Sequence, residues 1–226
     1  MEDSPICKRL NEHGDLVDEL SHPWRNCFFA LFIVEQKKMK TSSYKSFIDS
    51  LPLDVSNYPV MFGQEERELL KGSQMIGKID DRVRSWQSDY EAMCEAEPQI
   101  RDMMTFIEFK ESKQIVSSRA YDIGYTDGTT RQVLIPYVDM ALINSSSDPN
   151  VTCLQYDGYL RLQANRDIKC GEIIVQAKSV ACNTSVFLNS GFITSNNQNN
   201  NKIEVEAELD QNDPLYSDKK NEIEQQ

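Results

Sequence analysis

The residues of this chain whose types and spacing could do chemistry sit in three places. Residues 134–143 read Leu-Ile-Pro-Tyr-Val-Asp-Met-Ala-Leu-Ile and break at once into Asn144, three serines and Asp148-Pro149-Asn150. An apolar run that ends this way predicts a buried strand delivering a polar loop into the interior. Asp139 and Asn144 would then be polar groups that need a partner where they sit. Further on, Gly171-Glu-Ile-Ile-Val175 predicts another strand and is followed by Cys182-Asn183 and then Leu188-Asn189-Ser190-Gly191-Phe192. Upstream of both, residues 117–121 read Ser-Ser-Arg-Ala-Tyr and put Arg119 at the end of a predicted helix. An arginine in that position is, on its own, a cap or a surface group.

Metal chemistry finds little support. The six cysteines, Cys7, Cys27, Cys94, Cys153, Cys170 and Cys182, include no Cys-x-x-Cys pair, and the two histidines, His13 and His22, lie away from all of them but Cys7 and Cys27. Spacings of this kind do not make a structural zinc site. The thiols are expected to be reduced and mostly buried as small hydrophobes. The formal net charge of −12 argues against nucleic acid or an anionic membrane as a partner, since both need clustered Lys and Arg. No run of 18 apolar residues and no basic, apolar leader occur, so neither a membrane span nor a signal peptide is expected, and a cytoplasmic or nuclear location is. The sequons at Asn144, Asn150 and Asn183 carry no weight without secretion.

The elements that must position these residues change character along the chain. The first twenty residues are polar and give no firm element. Ser21 and His22 ahead of Pro23 predict a helix start, with Trp24, Cys27, Phe28, Leu31 and Phe32 at helical spacing and Lys37-Lys38 at its end. A short turn over 44–51 stops at Pro52, and a short helix over 65–70 closes at Gly72. Apolar residues at Ile76, Ile79, Val83, Trp86, Tyr90 and Met93 alternate gaps of three and four, which is one face of a long helix packed on its own domain. Thr105 and Glu108 form a capping box that opens a third major helix carrying Phe106, Phe109 and Val116. Strands are predicted after that, at 132–135, 151–155, 160–164 and 172–175, with turns at Asp127-Gly128 and Asp157-Gly158. Helices first and short strands second imply an α+β fold. Residues 196–201 are an Asn/Gln run, and 203–209 alternate apolar residues with glutamates as a half-exposed strand would.

Together these pieces resemble the second half of a SET domain, in the branch of the Rubisco large-subunit methyltransferase and its relatives that act on lysine or histidine. Phrases along the first half agree: His22-Pro23-Trp24, Ser50-Leu51-Pro52, Lys71-Gly72-Ser73 and Val116-Ser117-Ser118-Arg119. The resemblance implies a partial SET domain of small β-sheets with a large helical insert, divided as an insert region at 1–120, the C-terminal half of the SET domain at 121–193, and a linker with the start of a substrate-binding domain at 194–226. It implies S-adenosylmethionine as cofactor and a protein substrate or partner. By the same resemblance Arg119 pairs with the cofactor carboxylate, while Asp139 and Asn144 fall in the loop that the family writes Asp-x-x-Asn-His-Ser.

The chain departs from the pattern at the reactive positions. Asn144 comes five residues after Asp139 rather than three, and Ser145 stands where histidine would follow; without a gap the pair is Leu142-Ile143. The family's catalytic tyrosine falls at Ala177 or Lys178, and Ser190 replaces the tyrosine of Tyr-Gly-Phe. Removing one preorganised donor from such a site costs about 100-fold to 1000-fold in rate. Gly14 is the sole glycine among the first sixty residues, so the family's glycine-rich cofactor turn is expected to lie outside this chain. The resulting expectation is a catalytically silent or impaired SET fold kept for protein interaction. The alternative is an active methyltransferase completed by another segment or chain.

Overall fold

In a computed structural model of the chain, the residues described are 4–21, 24–52, 54–126, 128–140, 142–143, 149–156, 159–176, 182–193, 213–217 and 219–220. Helices fill the first part. They are α1 (Pro5–Glu12), α2 (Leu16–Glu19), α3 (Arg25–Lys38), α4 (Lys45–Ser50), α5 (Gln64–Glu68), α6 (Met75–Ala96), α7 (Gln99–Met103) and α8 (Phe106–Arg119). Strands β1 (Tyr121–Gly124), β2 (Thr130–Val133), β3 (Leu142–Ile143), β4 (Val151–Tyr156), β5 (Tyr159–Ala164) and β6 (Val175–Gln176) follow, and α9 (Asn183–Ser190) comes after them. The fold is α+β.

The helical part is built around α3, which packs on α8. Cys27, Phe28, Ala30, Leu31, Phe32, Ile33 and Val34 are all buried, so α3 is apolar on every side and must lie inside the bundle. Each fully buried large side chain of this kind contributes about 1.5–3 kcal/mol. The predicted stripe of α6 turns inward as Ile79, Trp86, Tyr90 and Met93, and Tyr90 Oη donates to the Met104 carbonyl at 2.7 Å. Thr105 and Glu108 form both halves of the capping box that starts α8.

A buried ion pair joins these helices. Lys113 of α8 and Asp89 of α6 are each 2% exposed and pair directly. The second partner of Asp89 is Ser21, whose backbone N–H and hydroxyl donate to the carboxylate at 2.7 and 2.5 Å. Lys113 Nζ also donates to Ser21 Oγ at 3.2 Å and to Cys27 Sγ at 3.2 Å. The helix start expected at Ser21 falls later: α3 starts at Arg25 without a side-chain cap, and Ser21 is held by a carboxylate 68 residues away. The first twenty residues also hold more structure than their polarity suggested. Ser4 accepts from the Cys7 N–H at 3.1 Å and Pro5 occupies the first turn of α1, whose Cys7 and Leu10 are buried.

The strands form two small sheets. β1 pairs antiparallel with β2, Tyr121 opposite Val133. The second sheet has the order β3-β6-β4-β5, with β6 parallel to both β3 and β4, and β4 antiparallel to β5. The Gln155 side chain donates to the Gly124 carbonyl at 2.8 Å and ties the sheets together.

Two strand expectations need correcting. The run 134–143 is not one strand: after Pro136, which has no N–H to give a ladder, Tyr137 takes φ +68° and is exposed, Val138–Met140 is a 3-10 turn, and only Leu142–Ile143 pairs. The predicted strand at 172–175 is reduced to β6. Gly171 at φ +82° starts a bend, and Ile173 and Ile174 are exposed. What holds this segment is Asn150, 2% exposed, whose amide donates to the Ile173 carbonyl at 2.8 Å and accepts from the Val175 N–H at 2.8 Å. The strand predicted at 203–209 lies outside the described residues.

Two outcomes follow from this packing. Lys113→Ala or Asp89→Ala leaves a buried charge without its partner and should lower stability by about 3–5 kcal/mol in a urea titration, while the Lys113→Met, Asp89→Leu double variant should recover most of that loss. Burial pushes the Cys7 thiol up to about 11 and the Cys27 thiol up to about 12, whereas Cys170 is exposed. Alkylation at mildly alkaline pH, mapped by mass spectrometry, should therefore modify Cys170 in the native protein and reach Cys7 and Cys27 only on denaturation.

Candidate functional site

The end of α8, the start of β1, the 3-10 turn at Val138–Met140 and the end of β6 meet at one place. Arg119 is the last residue of α8, and its Nη1 donates to the Asp139 main-chain carbonyl at 2.8 Å and lies 3.4 Å from Asp139 Oδ2. The guanidinium therefore pins the turn by its backbone as well as by its carboxylate. Tyr121, two residues on, donates its hydroxyl to the Val138 carbonyl at 3.4 Å and accepts from the Gln176 side chain. Gln176 is 2% exposed.

Electrostatically the pair is incompletely used. The Asp139 side chain is 2% exposed, and burial raises its carboxyl above the ordinary aspartate range although Arg119 pulls it down. Burial likewise raises the Tyr121 phenol, against the lowering hydrogen bond from Gln176. Asp139 Oδ1 and Arg119 Nε are both buried and make no hydrogen bond among the described residues. A donor and an acceptor left over on neighbouring partners form a site that wants the complementary pair. A ligand carrying a carboxylate beside an ammonium has that pair: the anion accepts from Arg119 and the cation donates to Asp139.

Of the residues singled out in the sequence, Arg119 and Asp139 are thus brought together. Asn144, Ser145, Ala177 and Lys178 lie outside the described residues. Tyr121 and Gln176 were not anticipated as site residues; the signal for the first was the phenol two residues after Arg119 in Ser118-Arg119-Ala120-Tyr121. Nothing in the local sequence marks Gln176, which is placed by its pairing with Val151.

The segment Ser190-Gly191-Phe192 has a backbone role. Gly191 ends α9 at φ +74°, and its N–H donates to the Phe187 carbonyl at 2.8 Å. A Cβ there would meet the Asn57 carbonyl oxygen at 2.8 Å. The turn can therefore press against the 55–58 loop only because the residue lacks a side chain. On the other side α9 is held by Arg82 of α6, which donates to the Leu188 carbonyl at 3.1 Å and to Asn189 Oδ1 at 2.8 Å, and by Gln114 of α8, which donates to the Asn189 carbonyl at 2.9 Å.

With this geometry described, comparison with known proteins gives a consistent result. No protein-family model matches the chain. Over 211 residues, 87% of this chain and 42% of the relative, it is 24% identical to the chloroplastic (fructose-bisphosphate aldolase)-lysine N-methyltransferase of Arabidopsis thaliana. Among solved structures it is similar to the SET domain of LSMT bound to methyllysine and AdoHcy, with a TM-score of 0.70 and 22% identity over 99% of this chain and 50% of that one. It is also similar to Rubisco LSMT bound to AdoMet, with a TM-score of 0.69 and 22% identity over 94% of this chain and 49% of that one. The fold is that of a SET domain, and the chain resembles the Rubisco-type lysine methyltransferase branch. It spans about half the length of these relatives.

Gly191→Ala should lower stability by about 1–2 kcal/mol from the left-handed backbone alone, and by more if the 55–58 loop has to move away from the new Cβ. A lowered thermal midpoint with unchanged helical circular dichroism at low temperature is the expected result; an unshifted midpoint would mean that α9 does not press on that loop.

Proposed function

We propose that this chain is a SET-fold protein of the S-adenosylmethionine-dependent protein-lysine (or histidine) methyltransferase type that keeps a site for the amino-acid end of the cofactor and is catalytically silent. The observation that carries the first half is the pair of unused buried atoms, Arg119 Nε and Asp139 Oδ1. Their chemistry fits the α-carboxylate and α-ammonium of S-adenosylmethionine, and relatives of the same fold have been solved with AdoMet and AdoHcy. When bound, the cofactor supplies a methyl group on a sulfonium centre. The residues of this chain hold and orient it: Arg119 is fixed by the turn it pins, Asp139 by its burial, and Tyr121 and Gln176 brace the strand end beside them.

Silence rests on residue type. Aligning a neutral amine and stabilising the charge that develops on it needs a hydroxyl at a fixed place. At the positions where the resembling family has that phenol, this sequence has Ala177 or Lys178, and Ser190 stands for the second tyrosine. What such a protein retains is a surface for another protein. A partner without strong negative charge suits the net charge of −12.

Calorimetric titration separates the two halves. S-adenosylmethionine should bind the full chain, and Arg119→Gln should weaken it about tenfold or more, as removal of a charge-assisted hydrogen bond does. Because burial raises the Asp139 carboxyl, it takes up its proton at a higher pH than an exposed aspartate with a value of about 4. Affinity should accordingly fall as the pH is lowered toward that range, and Asp139→Asn should flatten the fall. The absence of heat at millimolar cofactor would sink the cofactor site. Arg119-dependent transfer of a labelled methyl group to any protein would sink the silence and favour the active alternative.

A further inference from the structure

A second polar site lies on the other face of α8. A cleft of about 310 Å³ opens where the helical part meets the β1–β2 hairpin and α9, and its lining includes Asn26, Arg82, Trp86, Asp122, Gln132 and Asn189. Arg119 and Asp139 do not line it.

Three features of this cleft call for a ligand. Arg82 is half-buried and has no carboxylate partner among the described residues; Nη1 is engaged by two neutral acceptors, Leu188 O and Asn189 Oδ1, and its Cζ lies 5.9 Å from the Trp86 ring centroid. Burial lowers its pKa with nothing opposing, which is the mark of a guanidinium without a counter-anion. Asn26, 6% exposed, has its side-chain oxygen buried without a hydrogen bond among the described residues, and the Gln132 side-chain oxygen is in the same condition. The other cation in the lining, Lys113, is already neutralised by Asp89. The cleft therefore offers one guanidinium in need of an anion and two carbonyl oxygens in need of N–H donors, beside the flat face of an indole.

We infer that this cleft binds a carboxylate group flanked by N–H donors: the carboxylate sits on Arg82, and the N–H groups satisfy Asn26 and Gln132. A guanidinium is suited to such an anion because its planar fork matches the two oxygens of a carboxylate. The Asp122 carboxylate is exposed in the lining and makes no ion pair with Arg82 among the described residues, so it repels the anionic end of the ligand and leaves Arg82 as the place for it. Two sources carry this chemistry, a free amino acid and the carboxyl terminus of a peptide.

The indole N–H resonance of Trp86 reports on the site, and with two tryptophans in the chain it is assigned by Trp86→Phe. The full-length chain would be titrated with glycine, with N-acetylglycylglycine, and with sodium chloride at matched ionic strength. A saturable shift at millimolar concentration with glycine points to a free amino acid; one with N-acetylglycylglycine points to a peptide terminus. Either supports the inference provided that Arg82→Gln weakens it at least about tenfold, the loss expected for a charge-assisted pair. Gln132→Glu, which adds negative charge without disturbing α6, should weaken it as well. No saturable shift beyond the salt control, or a shift unchanged in both variants, overturns the site. Arg119→Gln should leave this titration unaffected, so the outcome stands apart from that of the cofactor site.

Discussion

The ion pair of Lys113 and Asp89 is the constraint on which the rest of the structure depends. Removing two charges from water is costly, and the pair persists because each charge is surrounded by groups that satisfy it: Ser21 gives Asp89 two hydrogen bonds, and Lys113 gains Ser21 and Cys27 as further acceptors. Lys113 Nζ also lies 5.4 Å from the Trp86 ring centroid and 5.5 Å from that of Phe109. Through these contacts α6, α8, the start of α3 and the segment before it are fixed relative to one another. An apolar pair would fill the same space with less directional demand; the charged pair allows one register between α6 and α8.

That register decides both sites. α8 carries Lys113 and Gln114 in its buried stretch and Arg119 at its end, so fixing the helix against α6 fixes where the guanidinium emerges. Arg119 then pins the turn that bears Asp139, and Tyr121 and Gln176 close the far side. On the other face of α8, Arg82 of α6 reaches α9 and is left without an anion. A rigid helical block thus holds two guanidinium groups, each at the edge of a β-segment, and each beside buried polar atoms that have no partner within the described chain. Such atoms cost free energy in the folded protein, and ligands that complete them recover it.

Much of this was legible locally. The three- and four-residue gaps of α6, the capping box of α8 and the β4–β5 hairpin were each dictated by side-chain periodicity and capping chemistry, and Ser117-Ser118-Arg119 and Asp139 were marked by the phrases around them. Other features had weaker signals. Asn150 reads as a loop residue, yet it is buried and takes the place of missing strand pairs. Ser21 reads as the start of a helix and serves a distant carboxylate. Asp89 and Lys113 carried no mark in the sequence, because a charge that is satisfied by another charge 24 residues away looks there like a charge satisfied by water.

The amino-acid sequence by itself determined the three major helices, the change to short strands after them, the α+β order of the fold and the residue types present or missing at the reactive positions, since these follow from side-chain shape, periodicity and functional group. Tertiary structure alone decided which polar atoms remain without partners. Whether Arg119 Nε, Asp139 Oδ1 or the Arg82 guanidinium is satisfied depends on what long-range packing brings within about 3.5 Å of it, and hydrogen bonding has little reach beyond that distance.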